Sequence, residues 1–246
     1  MSKKLENKVA IVTGASKGIG SAISKALAAE GAAVIVNYSS SKEAADKIVE
    51  EATALGGRAI AVQANVSKQE EIERLFAETS KAFGRLDVLV NNAGIYVAGP
   101  IGTITEESFH QHFNLNVLGL ILASQEALKY FGPEGGAIVN VSSVVAKLSP
   151  PGITVYCATK GAVDAVTRSF SRELADRKIR VNSVNPGLIA TEGVHAAGFV
   201  SEDPSASSPL GPVGKPEDIA PIVVFLASDD SRWINGEVHY ATGRLL

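Results

Sequence analysis

Short apolar runs alternate with amphipathic helical stretches along the whole chain. Seven runs have strand length, at positions 9–13, 33–36, 59–62, 88–90, 137–141, 181–184 and, more weakly, 237–240. Strands that are apolar along nearly their whole length are typical of a parallel sheet covered by helices on both faces. The repeated strand–helix–strand order has no Pro/Gly-rich linker between halves. It therefore predicts an α/β fold, with one doubly wound parallel sheet of about seven strands in a single domain spanning residues 1–246.

Signals for helix ends lie between these runs. Segments 40–43 and 67–70 both read Ser-x-x-Glu, the capping-box pattern that begins a helix. Gly31, Gly56 and Gly84 lie where the helices before them should end. These signals predict a helix after the second strand and another after the third.

The last quarter of the chain contains two irregular features. Segment 190–213 is rich in Gly, Ser and Pro and has no periodicity, so we predict a substrate loop there. Pro216 suits the first turn of a helix. Pro221 falls within the same helical pattern and should bend it, because proline has no N–H to donate.

Composition and charge narrow the possible functions. Hydrophobic residues make up 46% and charged residues 20% of the chain, which is typical of a globular protein. The net charge of −3 gives no electrostatic reason to expect binding to nucleic acid or to an anionic membrane. No apolar stretch is long enough to span a membrane, and the N-terminus lacks the apolar core of a signal peptide, so we expect a cytoplasmic protein.

The cysteine and the histidines argue against a metal site. Cys157 is the single cysteine, so the chain cannot form an internal disulfide, and we expect a small buried thiol. None of the four histidines has a second ligand at metal-binding spacing: His110, His112, His195 and His239. We therefore predict no metal, and we note only that His195 lies in the predicted substrate loop.

A glycine-rich segment, Thr13-Gly-Ala-Ser-Lys-Gly-Ile-Gly20, follows the first predicted strand and precedes a helical stretch at 21–30. Such a turn lets the backbone approach a pyrophosphate and points helix N–H groups at it. The spacing is Gly-x-x-x-Gly-x-Gly rather than the commoner Gly-x-Gly-x-x-Gly. We predict that this loop binds a dinucleotide through Gly14, Ser16, Lys17, Gly18, Ile19 and Gly20.

The end of the second strand indicates which nicotinamide cofactor binds. NAD sites normally place an acid there to bind the ribose hydroxyls. Here the segment 36–40 reads Val-Asn-Tyr-Ser-Ser and contains no acid, while Lys17 lies in the glycine-rich loop. These residues suit a 2′-phosphate, so we predict NADP(H), bound by Asn37, Tyr38, Ser39 and Ser40. An acid in place of Lys17 or Asn37 should then shift the preference toward NAD.

Tyr156 and Lys160 form a candidate catalytic pair. Residues four apart on a helix project from the same face. A phenol with an ordinary pKa of about 10 exchanges protons poorly at neutral pH unless a neighbour stabilises its phenolate. A cation about 4 Å away, at an effective dielectric constant of about 20, supplies about 4 kcal/mol and lowers the pKa by about 3 units. We therefore predict that Lys160 lowers the pKa of Tyr156.

Together these motifs make the chain resemble the short-chain dehydrogenases/reductases, which are single-domain Rossmann-fold oxidoreductases. Five features occur in the family's order over nearly the whole chain: the glycine-rich loop, Asn91-Asn-Ala-Gly94, Asn116, the Ser143/Tyr156/Lys160 set, and segment 186–191. The resemblance implies that Tyr156 protonates the carbonyl oxygen as hydride arrives and that Ser143 hydrogen-bonds that oxygen. It also implies that Lys160 holds the nicotinamide ribose.

The resemblance implies further site residues. Asn116, within a helix predicted over 106–131, would hold a water that links Lys160 to solvent. Asn65 replaces the family's usual acid, and its amide oxygen can still accept from the adenine amino group. The remaining cofactor contacts implied by the family are Val66, Asn92, Ala93, Gly94, Pro186, Gly187, Ile189 and Thr191. Near the C-terminus, Thr242 and Arg244 replace an acid and a glycine that the family commonly has.

From this resemblance we predict a reversible, NADPH-dependent reduction of a ketone or aldehyde to an alcohol. The substrate pocket is expected to be largely apolar, formed by segment 190–213 with Ile95, Tyr96, Val97, Val144, Val145, Pro150 and Ile153. A 3-oxoacyl-carrier-protein reductase is the first alternative. It is disfavoured because Glu134, which enters the Ser143 strand, would repel an acidic carrier. A sugar dehydrogenase and a catalytically silent dinucleotide-binding protein are further alternatives.

The remaining predictions concern surfaces. Segments 120–122 and 163–166 are more apolar than the sheet requires, and in the family the two helices that contain them pair subunits, so we expect a homotetramer. Trp233 is expected in the core or at an interface. Arg168 and Arg172 are expected to form a solvated basic face.

Overall fold

The computed structural model describes residues 3–196, 210 and 213–243. Within these residues, seven strands form one sheet with the order β3-β2-β1-β4-β5-β6-β7, and all neighbouring strands are parallel. The strands are β1 (Val9–Val12), β2 (Ala33–Tyr38), β3 (Arg58–Gln63), β4 (Val88–Asn91), β5 (Gly136–Val141), β6 (Ile179–Pro186) and β7 (Val238–Ala241). The predicted α/β fold with a doubly wound parallel sheet is therefore confirmed.

The continuous apolar runs have a simple cause, because successive strand residues enter two different cores. Along β1, Ala10 and Val12 pack into one cluster, whereas Val9 and Ile11 pack into the other. Side chains alternate between the faces of a strand, and here each face is covered by helices. Both sets must therefore be apolar.

Helices flank the sheet on both sides. They are α1 (Gly18–Ala29), α2 (Lys42–Ala54), α3 (Gln69–Phe83), α4 (Glu106–Phe113), α5 (Leu120–Ala127), α6 (Val145–Leu148), α7 (Thr154–Glu173), α8 (Glu192–Ala196) and α9 (Pro216–Ala227). Helices α1, α2 and α9 contribute buried residues to one cluster, while α3 and α5 contribute to the other. The order of strands reverses at β1, so the connections after β1 and β4 diverge and leave a cleft between them.

The predicted capping boxes are wrong, although helices do begin near both. The N-cap residues are Ser41 and Lys68, and neither makes a side-chain capping bond. Ser67 Oγ instead donates to Asn65 Oδ1 at 2.8 Å, within the loop that precedes α3. The predicted helix ends are confirmed: Gly31, Gly56 and Gly84 all have positive φ at or just after the last helical turn.

The helix predicted over 106–131 is continuous only through Ala127 and contains a wide turn. Between α4 and α5, residues Asn114–Gly119 form a π-helical segment. Gly119 is required there, because a Cβ at this position would lie 2.3 Å from the Val66 carbonyl oxygen. Such π segments are frequent at functional sites, and this one contains Asn116.

Pro216 is the first residue of α9, as predicted. Pro221 lies inside the same helix on its exposed side. The carbonyl that its missing N–H would have served belongs to Glu217, which is also exposed. Water can therefore take the place of the lost helical bond.

Two single-residue predictions have opposite outcomes. Cys157 is buried, as expected. Trp233 is 96% exposed in the chain, so it does not lie in the core, and the predicted alternative of an interface stays a prediction. The predicted 190–213 loop is described only through Ala196 and at 210 and 213, and Arg244 also lies outside the described residues. In the described part of the chain, no helix has both the length and the apolar character needed to cross a membrane.

Candidate active site

The carboxyl ends of the parallel strands open into one cleft of about 1420 Å³. All predicted site residues line it except Tyr38 and Asn116. The fold explains the convergence, because the loops that follow parallel strands all emerge at the same edge of the sheet. Residues separated by more than a hundred positions, such as Gly14 and Tyr156, therefore face a common space.

The glycine-rich loop has a backbone that side chains would block. Gly14 and Gly18 have φ of +60° and +56°, a region that other residues rarely adopt. A Cβ on Gly20 would lie 2.5 Å from Asn92 Nδ2 and 2.7 Å from the Gly14 carbonyl oxygen. Helix α1 begins at Gly18, three residues earlier than predicted, with no acid in its first turn. The loop therefore offers exposed N–H groups and a positive helix end to an anion.

The segment after β4 fixes this loop. Asn92 Nδ2 donates to the carbonyl oxygens of Thr13 and Gly14 at 2.8 and 3.0 Å. Thr13 Oγ1 in turn accepts from the backbone N–H groups of Asn92 and Ala93, both at 3.0 Å. Asn91 points the other way and bonds to Asn140 on β5. These paired asparagines thus join the loop, β4 and β5.

The end of β2 differs in detail from the prediction. Asn37 is 1% exposed, and its Oδ1 accepts from the Gly14 N–H at 3.2 Å while its Nδ2 donates to the carbonyls of Val62 and Ala64. Tyr38 packs into the core. Asn37 therefore supports the glycine-rich loop from inside the protein. An acid there would set a carboxylate oxygen against two carbonyl oxygens, so Asn37→Asp is expected to damage the loop and not to change cofactor preference.

Three exposed side chains remain available for a 2′-phosphate. Lys17, Ser39 and Ser40 are exposed and line the same part of the cleft. Asn65 lies nearby, but its Oδ1 already accepts from both the backbone N–H and the hydroxyl of Ser67. Since a carbonyl oxygen has two lone pairs, the predicted bond from adenine to this oxygen has no free acceptor site.

Ser143, Tyr156 and Lys160 converge at the other end of the cleft. Ser143 follows β5, and the two other residues lie one turn apart on α7. Lys160 Nζ donates to the carbonyl of Val141 at 2.8 Å and lies 5.6 Å from the Tyr156 ring centroid. Ser142 Oγ donates instead to the Lys160 carbonyl at 3.2 Å. The neighbouring serines therefore have different partners.

The surroundings of Tyr156 contradict the prediction that its pKa is lowered. Burial raises the pKa of Tyr156 to about 12, and its hydrogen bond with the Ser143 side chain lowers the pKa only in part. Burial also lowers the pKa of Lys160 to about 8, against the effect of Asp164. Desolvation thus outweighs any stabilisation of the phenolate by Lys160. At neutral pH the pair is a neutral phenol beside an ammonium group.

Asn116 lies behind these residues and not at the cleft surface. Its Oδ1 accepts from the Ile95 N–H at 2.9 Å, and its Nδ2 donates to the Ile95 carbonyl at 2.9 Å and to Thr159 Oγ1 at 3.2 Å. The Asn116 amide therefore bonds both the N–H and the carbonyl oxygen of Ile95. Any part in a proton relay would have to use other atoms of the π segment.

His112 holds the same segment after β4 by further hydrogen bonds, which the sequence did not suggest and which we call the His112 clamp. His112 is fully buried, with Nδ1 2.7 Å from the Ser108 carbonyl oxygen and Nε2 accepting from the Val97 N–H at 3.1 Å. These partners require a neutral imidazole with the proton on Nδ1. Between the two clamped residues, Tyr96 packs edge-on against Tyr156, with ring centroids 5.1 Å apart and planes at 85°. His112 and Asn116 thus position the aromatic ring that adjoins Tyr156.

The substrate end of the cleft has apolar walls. Of the predicted wall residues, Val97 does not line the cleft, whereas Leu148 and Leu188 do so in addition to Ile95, Tyr96, Val144, Val145, Pro150 and Ile153. Glu134 precedes β5, whereas Ser143 follows it. A strand of this length spans about 20 Å, so Glu134 lies at the amino ends of the parallel strands, opposite the cleft. The argument from Glu134 against an acyl-carrier substrate is therefore wrong.

Comparisons with known proteins agree with this geometry. The family model described as enoyl-(acyl carrier protein) reductase matches residues 14–243. An uncharacterized oxidoreductase of Methylorubrum extorquens is 54% identical over 244 residues, which cover 98% of each chain. A short chain dehydrogenase from Burkholderia cenocepacia, solved in complex with NADP, has a TM-score of 0.90 and 38% identity over 98% of each chain. The angucycline C-6 ketoreductase LanV, solved with bound NADP, has a TM-score of 0.91 and 37% identity over 99% of this chain and 97% of its own.

The His112 clamp leads to a first prediction. In His112→Ala, the partly buried Val97 N–H loses its acceptor, at a cost of about 1 kcal/mol. We expect Tyr96 to lose its fixed position and kcat/KM for a ketone to fall about fivefold or more, mostly through KM. His112→Gln, whose side-chain oxygen can accept the same N–H, should restore most of the loss.

His110→Ala is the matched control, since His110 lies on the same helix with its side chain 57% exposed. It should leave the KM for the ketone unchanged. Equal KM values for His112→Ala and the native protein, measured by initial rates with thermal melting as a check on folding, would contradict the clamp.

Proposed function

The chain belongs to the short-chain dehydrogenase/reductase family, and on that premise we propose that it uses NADPH to reduce a ketone or aldehyde to an alcohol, reversibly. The observation that carries the proposal is the pairing of the Ser143 hydroxyl with the Tyr156 phenol in an apolar part of the cleft. Two O–H donors side by side suit one carbonyl oxygen.

The described residues fit NADP(H). The glycine-rich loop has space and N–H groups for a pyrophosphate, and Asn92 and Asn37 hold it in shape. Lys17, Ser39 and Ser40 can meet a 2′-phosphate, while no acid stands at the end of β2. The solved relatives with bound NADP support the same cofactor. When bound, NADPH supplies the hydride.

The chain's own residues supply the proton and hold the substrate oxygen. Ser143 and Tyr156 donate hydrogen bonds to the carbonyl oxygen, and Tyr156 gives up its proton as that oxygen becomes an alkoxide. With its pKa raised to about 12, Tyr156 is protonated at neutral pH. It is still a stronger acid than an alcohol, so it can give its proton to the alkoxide that forms. The Lys160 ammonium stabilises the phenolate that remains. In the reverse direction the same groups remove the proton.

We further propose that residues 1–246 form one cytoplasmic domain for cofactor binding and catalysis, with a substrate loop at about 190–213. We retain the homotetramer as part of the proposal. In the predicted segments 120–122 and 163–166, Leu120 and Val163 are buried, whereas Ile121, Leu122 and Val166 are partly exposed. Phe109 and Leu118, which are 41% and 45% exposed, add further apolar surface. Phe109 stacks on Phe113, with ring centroids 4.3 Å apart. This apolar face on α4 and the π segment supports pairing of subunits.

Replacement of the proposed acid tests the reaction. Tyr156→Phe removes one hydroxyl and should lower kcat for ketone reduction by about 10²–10⁴-fold, the usual contribution of a general acid. NADPH binding, followed by fluorescence titration, should change little. Tyr130→Phe, whose ring packs on Phe76, is the control and should retain full activity. Normal turnover by Tyr156→Phe would refute the assignment.

Lys17 tests the choice of cofactor. Lys17→Glu places a negative charge where the proposal puts a 2′-phosphate, so the NADP/NAD ratio of kcat/KM should fall about tenfold or more. The same charge reversal at Lys47, a residue of α2 with its side chain 74% exposed, should leave the ratio unchanged. A ratio that Lys17→Glu does not alter would show that the side chain does not contribute to the preference.

The substrate class is tested by initial rates of NADPH oxidation with an aryl ketone, a β-ketoester and a 3-oxoacyl thioester, and with NADH as the cofactor control. We expect the free ketones to react fastest, because the walls of the cleft are apolar. Faster turnover of the thioester would favour the 3-oxoacyl-carrier-protein reductase. No turnover of any substrate would favour a sugar dehydrogenase or a silent dinucleotide-binding protein.

A further inference from the structure

Asp164 is a buried carboxylate that the mechanism above does not use. It lies on α7 one turn after Lys160 and two turns after Tyr156, so the three side chains share one face of the helix. Asp164 is 6% exposed. A charged group with so little solvent needs hydrogen bonds or an opposite charge to offset its desolvation. Its partners therefore indicate what it does.

The hydrogen bonds of Asp164 lead directly to Ser143. Both carboxylate oxygens accept from Asn185 Nδ2 at 3.1 Å, and the same Nδ2 donates to the Ser143 carbonyl oxygen at 3.1 Å. Asn185 is fully buried on β6, and Ser183 Oγ fixes its orientation by donating to its Oδ1 at 2.9 Å. Asp164 and Asn185 thus join the helix that carries Tyr156 to the residue that carries the neighbouring hydroxyl.

The charge of Asp164 acts on the other catalytic group. Burial lowers the pKa of Lys160, and the negative charge of Asp164 acts against that fall. Two more titratable groups lie near Asp164. Burial and the charge of Asp164 raise the pKa of Tyr240 on β7, whereas Arg168, on the next turn of α7, acts to lower it. Lys160 is the cation that shares the buried face with Asp164.

We propose that Asp164 is a positioning residue of the active site, which fixes the Ser143 backbone through Asn185 and keeps Lys160 in its ammonium form through its charge. This inference rests on the proposed carbonyl reduction. It adds a second turn of α7 and one residue of β6 to the groups on which the proton transfer depends. Neither residue touches the substrate, and both act through Ser143 and Lys160.

The first test follows the charge of Lys160 directly and does not depend on activity. In Asp164→Asn, which keeps the shape of the side chain, the NMR titration of the Lys160 ε-carbon should move from about pH 8 to a lower pH by about one unit. Asp164→Glu, which keeps the charge, should titrate close to the native protein. Glu173→Gln removes one exposed charge from the same helix and is the matched control. An unchanged titration in Asp164→Asn, or an equal shift in the control, would overturn the inference.

The second test uses the pH dependence of ketone reduction. If loss of the Lys160 charge limits activity, kcat/KM should begin to fall at a pH about one unit lower in Asp164→Asn than in the native protein. The variant should then be about fivefold slower than the native protein at pH 8 and little slower at pH 6. Asn185→Ser, which keeps the charge of Asp164 but breaks the link to Ser143, should lower kcat at every pH without moving the fall.

The two tests also separate the inference from the function on which it rests. A native protein that turns over no ketone, while its Lys160 titration still responds to Asp164, would refute the proposed function and leave the electrostatic role standing. Activity with a Lys160 titration that ignores Asp164 would refute the role alone. A pH profile that moves by the same amount in Glu173→Gln would count against it as well.

Discussion

The hydrogen bond from Lys160 Nζ to the Val141 carbonyl, 2.8 Å long, fixes the end of the cleft that contains Ser143 and Tyr156. Val141 is the last residue of β5, and Ser143 follows two residues later. An ammonium group buried at this point must be neutralised or hydrogen-bonded. Its position thus sets the height of α7 against the sheet. The same contact places Tyr156 beside Ser143, so the geometry of the two O–H groups depends on a buried lysine.

The cofactor end of the cleft is built differently, from backbone and amides. Gly14, Gly18 and Gly20 provide a surface without side chains, and such a surface has little intrinsic shape. Asn37 and Asn92 supply that shape by bonding to the loop from β2 and β4. The loop is therefore held open by neighbouring strands and not by its own sequence. This arrangement suits a site that must present many N–H groups to one anion.

Between these ends, one helical stretch controls the substrate side. The π-helical segment widens the turn that contains Asn116, and α4 supplies His112 just before it. Together they hold the residues on either side of Tyr96, which packs on Tyr156. The positions of the Tyr96 and Tyr156 rings are thus linked through neighbouring buried side chains, which is how a packed interior transmits a change over a short distance.

The sequence by itself determined the features that depend on local periodicity. The apolar runs predicted the parallel sheet, the glycines predicted the loop and the helix ends, and the spacing of Tyr156 and Lys160 predicted a shared helical face. Each of these signals lies within a few residues, where strand and helix geometry leave few choices.

Only the tertiary structure decided which partners distant side chains meet. Asn37 turned inward to Gly14, Glu134 lay at the amino ends of the strands, and Trp233 stayed exposed. The pKa of Tyr156 rose instead of falling, because burial acts on a group through the whole fold and not through its nearest neighbour in sequence. His112 with Val97, and Asp164 with Asn185, are pairs 15 and 21 residues apart. No local pattern marks such pairs, since the loops and strands that bring them together are placed by the packing of the sheet.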